Sequence, residues 1–119
     1  MRIKKDEILS SLDKVLILSD EEKMIKMKIL HNQIELFSDC KENGNATTTI
    51  EQNKFTFLDK KNLEIKENFE IYFNGNYVFE AIKSLDEEIK FTFVTKNKPF
   101  IIENFDNDNV IQVIAPITE

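Results

Sequence analysis

Two amphipathic segments, each followed by alternating segments, constrain this chain most. Ile8, Leu9, Leu12, Val15 and Leu16 recur at the three- and four-residue spacing of one helix face, while Ser10, Ser11 and Lys14 lie away from that stripe. Tyr77, Val78, Ala81, Ile82 and Leu85 repeat the pattern in the second half of the chain. Ile8, Leu9, Leu12 and Leu16 map onto Tyr77, Val78, Ala81 and Leu85 at a constant offset. Asp6 reads as the N-cap of the first helix and Asn74 as that of the second, because a side-chain oxygen there accepts a backbone N–H that the first turn leaves unpaired.

The segments after each helix have the period of strands. Ile25, Met27 and Ile29 alternate with Lys26 and Lys28, His31-Asn32 reads as a turn, and Ile34 and Leu36 continue as a second strand. Cys40 to Ala46 is polar, contains Gly44 and reads as a loop. Thr47 to Phe57 reads as one further strand, with Ile50, Phe55 and Phe57 on one face, and Asp59 to Asn62 as a turn. In the second half Phe69, Ile71 and Phe73 form a strand before the helix. Ile89, Phe91 and Phe93 alternate after it, Lys96-Asn97-Lys98-Pro99 turns, Phe100 to Ile102 returns, and a last strand runs from Val110 to about Ile114. Ile25-Lys26-Met27 matches Ile89-Lys90-Phe91. Each half therefore reads as strand, helix and three strands: pseudo-repeats of about 1–58 and 63–119 inside one domain, residues 1–119. Such a duplication predicts an α+β fold with two helices packed side by side on one sheet face.

Composition narrows the function classes. The formal net charge is −6, and a broad phosphate-binding patch needs clustered Lys and Arg, so a simple basic-patch nucleic-acid binder is disfavoured. A few lysines presented from one face remain compatible with that charge. No apolar run approaches the roughly 18 residues of a membrane span, and the polar Ser10, Ser11 and Asp13 so early in the chain argue against a secretory signal. Cys40, the only cysteine, excludes an internal disulfide and a multi-cysteine metal site, and points to a reducing, cytoplasmic setting.

The inventory for catalysis is thin. His31 is the only histidine and falls in an expected turn, which disfavours a triad or a His-rich metal site. Asp20-Glu21-Glu22 and Asp86-Glu87-Glu88 read as solvated element ends rather than metal ligands. Asp106-Asn107-Asp108-Asn109 lacks the glycine and terminal glutamate of a calcium loop and reads as a hairpin turn. Gly44 and Gly75 make no phosphate-cradling loop, and Cys40 has no His or Asp at a readable spacing. A binding protein without cofactor or metal is expected rather than an enzyme.

Three stretches carry a family resemblance. Phe73-Asn74-Gly75-Asn76-Tyr77-Val78-Phe79-Glu80-Ala81-Ile82-Lys83-Ser84-Leu85 resembles the strand-to-helix junction of the last domain of bacterial DNA polymerase III beta subunits, the sliding clamps. Lys98-Pro99-Phe100-Ile101-Ile102 is similar to a hairpin strand of that domain, and Val110 to Glu119 to its carboxyl-terminal strand and tail. Ile17-Leu18-Ser19 matches a motif after its first helix. The three pieces in residues 69–119, in the right order and spacing, carry most of the resemblance.

The resemblance implies a DNA-clamp fold and a part in a replication processivity ring, with clamp domains joined head-to-tail around duplex DNA and helices lining the hole. A ring holds DNA topologically, so weak electrostatic contacts suffice; Lys14 and Lys83, on the polar faces of the two helices, would face DNA or else be ordinary solvated lysines. The resemblance also implies a peptide pocket that takes Gln-bearing apolar segments of the replicative polymerase, the clamp loader and repair polymerases. Asn74, Tyr77, Asn97, Pro99, Val113, Ala115, Pro116 and Ile117 would line this domain's share. Ile17 and Leu18 match positions at the ring interface. Departures from the family are Ala115 where a methionine usually precedes the proline, Glu119 at the end, and a thin acidic run at Asp39 and Glu42. The chain could be an excised clamp domain or a free-standing one. The alternative from the residues alone is an α+β structural or adaptor module with no DNA role.

Overall fold

The computed structural model describes residues 1–17, 24–40, 44–57, 67–107 and 109–117, with the backbone alone for Asp39, Cys40, Glu67 and Asn68. The chain runs β1 (Arg2–Lys4), α1 (Lys5–Leu16), β2 (Met24–Leu30), β3 (Gln33–Cys40), β4 (Gly44–Glu51), a 3-10 turn (Gln52–Lys54) and β5 (Phe55–Thr56). It continues through β6 (Glu67–Asn74), α2 (Gly75–Lys83), β7 (Glu88–Thr92), β8 (Phe100–Asn104) and β9 (Ile111–Ile114). The α+β expectation holds: two helices lie side by side on antiparallel sheet.

The strands divide between two sheets, ordered β5-β1-β7-β8-β9 and β4-β3-β2-β6. The leading strand of each half is inserted into the sheet of the other. β1 pairs with β7, Ile3 opposite Ile89, and β6 pairs with β2 along its length, Phe73 opposite Ile25 and Ile71 opposite Met27. Each sheet therefore contains strands of both halves. Arg2 fixes the β1–β7 register with two short bonds to the Glu88 carboxylate, at 2.7 and 2.8 Å, and stacks 4.0 Å over the Phe105 ring.

Burial follows the expected periods. Ile25, Met27 and Ile29 of β2, Ile34 and Leu36 of β3 and Ile71 and Phe73 of β6 all point inward. Ile8, Leu12 and Val15 of α1 and Val78, Ala81 and Ile82 of α2 cover them. The abundance of phenylalanine has a structural reason. Phe100 of β8 lies 5.9 Å from Phe73 of β6, 6.4 Å from Phe91 of β7 and 5.2 Å from Phe93, centroid to centroid. This cluster joins one sheet to the other. Ser38 reaches inward too, and its hydroxyl is satisfied by donating to the Val15 carbonyl at 2.8 Å.

Several local expectations are corrected. Asp6 is not the N-cap of α1: β1 runs directly into the helix, Lys4 holds the cap position without a side-chain bond, and Asp6 and Glu7 sit in the first turn. There the helix dipole favours their negative charge. Cys40 to Ala46 is not all loop, because β3 extends to Cys40 and β4 starts at Gly44, whose φ of 84° is the left-handed conformation glycine tolerates. Thr47 to Phe57 is not one strand. The 3-10 turn at Gln52–Lys54 resets the alternation, which is how even-numbered Ile50 and odd-numbered Phe55 are both buried. Tyr77, placed on the apolar stripe of the second helix, is 69% exposed. The turns at His31-Asn32 and Lys96–Pro99 fall where the sequence puts them. The expected turn at Asp59–Asn62 and the acidic run Asp20–Glu22 lie outside the described residues.

Candidate functional site

The junction of β6 and α2 builds one wall of a groove. Asn74 ends β6 and caps α2, its carboxamide oxygen accepting from the backbone N–H of Asn76 at 2.9 Å and of Tyr77 at 3.2 Å. Asn74→Ala would leave both N–H groups without that acceptor, and is expected to cost about 1 kcal/mol. Asn74→Asp, which keeps the oxygen, should retain most of it; thermal unfolding of the two variants checks this. From the capped start, Tyr77, Glu80, Ala81 and Ser84 project at three- and four-residue spacing along one face of α2.

The opposite wall is β9 and the tail after it. β9 is the edge of its sheet, held to β8 with Ile114 opposite Phe100 and Val113 opposite Ile101. Beyond Ile114 the tail crosses toward the other sheet, where the Ile117 N–H donates to the Tyr72 carbonyl of β6 at 2.8 Å. This stitch fixes Ala115 and Ile117 beside α2. A polar network fixes the other end. Buried Asn104 accepts from the Asp86 N–H at 2.7 Å and donates to Asn107 at 3.1 Å, and Asn107 donates to the Asp86 carboxylate at 3.3 Å. The β8–β9 turn is thereby tied to the end of α2, which agrees with the hairpin reading of that stretch for its described residues.

Between these walls lies a groove of about 580 Å³ lined by Asn74, Tyr77, Glu80, Ala81, Ser84 and residues 112–115 and 117. Of the residues expected there, Asn74, Tyr77, Val113, Ala115 and Ile117 come together, and half-buried Pro116 is held between the last two. Asn97 and Pro99 do not line it; they are exposed in the β7–β8 turn, outside the groove walls. Glu80, Ala81, Ser84, Gln112 and Ile114 line it without having been singled out. The α2 members could have been found from Tyr77 by helical spacing alone. Tyr77 and Val113, 69% and 65% exposed, are large apolar side chains left open on its walls.

The other expected residues scatter. Lys14 and Lys83 are exposed on α1 and α2, and Lys83 lies 3.6 Å from the Glu80 carboxylate and 5.5 Å from the Phe79 ring. The helices are cross-linked by Lys5, whose ammonium donates to the carbonyls of Lys83 and Leu85 at the end of α2. Ile17 is exposed at the end of α1, and Leu18 lies outside the described residues. No group of His, Cys, Asp and Glu among the described residues is arranged to hold a metal ion, and no described helix is long and apolar enough to cross a membrane.

A family model described as DNA polymerase III beta subunit, C-terminal domain, matches residues 1–118. The chain belongs to that family. Within it, the beta sliding clamp of Staphylococcus epidermidis is 32% identical over 95 residues, covering 79% of this chain and 23% of the relative. The chain thus spans about a quarter of the length of that clamp. The DNA polymerase III beta subunit of Thermotoga maritima shares the fold with a TM-score of 0.83 at 22% identity, over 99% of this chain and 30% of that one. The sliding clamp of Bartonella birtlesii, solved bound to griselimycin, aligns with a TM-score of 0.80 at 22% identity, over 99% and 30%. Such likenesses establish the beta-subunit fold.

Proposed function

We propose that this chain acts as one domain of a replication processivity clamp, by binding and not by catalysis, and that its working surface is the groove between α2 and the β9 tail. The observation that carries this reading is the groove's construction. Open Tyr77 on α2 and Val113 on β9 line a mainly apolar groove, which is fixed by the Asn74 cap at one side and the Ile117–Tyr72 bond at the other. A rigid groove with exposed apolar anchors suits a short extended peptide, since its walls lose little entropy on binding. The occupant is a Gln-bearing segment with Leu or Phe anchors, from a replicative polymerase, a clamp loader or a repair polymerase. The griselimycin complex of the Bartonella birtlesii clamp supports the reading that relatives take ligands.

Residues 1–119 form a single domain of two interlocked strand-helix-three-strand repeats. Lys14 and Lys83 face duplex DNA once further clamp domains complete a ring, and exposed Ile17, with Leu18, meets the neighbouring domain head-to-tail. Ala115 gives the groove a shallower floor than a methionine would. Asn97 and Pro99 contact the peptide from the β7–β8 turn, outside the groove itself. The test is fluorescence anisotropy of a labelled peptide carrying Gln, Leu and Phe anchors. Saturable binding is expected; anisotropy unchanged up to millimolar protein would contradict the reading.

A further inference from the structure

The groove has two chemically different ends. Around Asn74 its surfaces are apolar: Tyr77, Val113, Ala115 and Ile117. One and two helical turns past Tyr77 they become polar, with Glu80 and then Ser84, which is bonded to Gln112 of β9. The hydrogen bonds there have a direction. The Ser84 hydroxyl donates to the Ala81 carbonyl at 2.7 Å, so it can only accept from its neighbour, and Gln112 Nε2 donates to it at 3.3 Å. The donors of Ser84 are thus spent inside the protein. What this end turns toward an occupant is the negative Glu80 carboxylate beside the neutral Gln112 carboxamide, whose oxygen and second N–H remain. Glu80 meets Lys83 at 3.6 Å, but both side chains are largely exposed, so water and salt screen that pair. Lys83 is not among the residues lining the groove.

A carboxylate beside an apolar trough, with no Lys or Arg in the lining, selects by charge. A cationic side chain following or preceding the apolar anchors can bond Glu80 and Gln112 together, whereas a carboxylate there meets Glu80 and the chain's net charge of −6. We propose that Glu80, Ser84 and Gln112 form a second subsite, which prefers partner segments bearing an Arg or Lys beside their apolar anchors. Glu80 makes the contact, and Ser84 is a positioning residue that holds the Gln112 side chain across the end of the groove. This inference rests on the peptide-binding reading above.

The test compares three peptides with the same Gln, Leu and Phe anchors, extended at either end by Arg, Ala or Glu, on the 119-residue chain and on E80Q and E80K variants. The Arg peptide should bind the unaltered chain about threefold to fivefold tighter than the Ala peptide at low salt, with the Glu peptide weakest. E80Q should bring the Arg-to-Ala affinity ratio close to one and E80K should invert it, the ratio being read within each form of the protein. Ser84→Ala should lower the same ratio by a smaller factor, and Ser84→Thr, which keeps the hydroxyl, should restore it. Equal affinity for the three peptides overturns the inference alone, as does an Arg advantage that survives in E80Q, because general attraction to an acidic surface would then explain it. Failure of the Ala peptide to bind at all overturns the groove reading, and this inference with it.

Discussion

Phe100→Ala is expected to destabilise the chain by about 3–5 kcal/mol. Phe100 is 1% exposed and touches rings from three directions: Phe73 on the other sheet, Phe91 on the adjacent strand and Phe93 beyond it. Removing it takes away the apolar burial of a large side chain and leaves a cavity at the seam between the sheets. The Phe73 side of that cavity can relax little, because β6 is held in register by β2. Against a typical domain stability of about 5–15 kcal/mol, the loss leaves a marginal fold. The melting temperature should fall by roughly 10–20 °C. Phe100→Leu keeps most of the volume and should lose about 1–2 kcal/mol. Denaturant melts of both variants read this directly; equal small losses would show that the seam is not where the two sheets are held together.

Tyr77→Ala should have the opposite profile. The side chain is 69% exposed, so stability should change by no more than about 0.5 kcal/mol. Peptide affinity should fall about thirtyfold, the size expected for a central aromatic contact worth about 2 kcal/mol. Its backbone N–H stays on the Asn74 cap whatever the side chain, which separates binding from folding at this position. Tyr77→Phe keeps the ring and should retain most of the affinity. Denaturant melts and peptide anisotropy on the same preparations check both halves of the prediction.

These two residues show what could be read from the chain and what could not. Phe100 and Tyr77 both stand at positions that periodicity marks as inward, yet one is fully buried and the other is open. Period alone says which side chains share a face; it does not say whether that face meets another layer along its whole length. At Tyr77 the second layer stops, and the groove begins there. The same limit hid the split sheet. Alternation assigned β2, β3, β6, β7 and β8 correctly, but the exchange of β1 and β6 between halves depends on pairing across long sequence separations. β1 and β5, at three and two residues, are too short to carry any period.

Capping was legible where chemistry and geometry agreed. Asn74 ends a strand, its oxygen reaches two helical N–H groups, and the sequence placed it correctly. Asp6 has the same chemistry but lies inside the first turn, because β1 joins α1 with no residue between them. In the groove, the resemblance located the tail and the start of α2, while Glu80, Ser84 and Gln112 needed the two walls placed opposite each other. Gln112 alternates with exposed Ile111 and Val113 on a short edge strand, and nothing in its sequence neighbourhood says that α2 lies across from it.

We propose above that the groove between α2 and the β9 tail takes a partner peptide. The direct measurement is a titration of isotopically labelled protein with a peptide carrying Gln, Leu and Phe anchors, followed by two-dimensional NMR. Shifts are expected at Asn74, Tyr77, Ala81 and residues 112–117, with the far edge at β4 unmoved. Shifts confined to β4 or α1, or none at millimolar peptide, would contradict it.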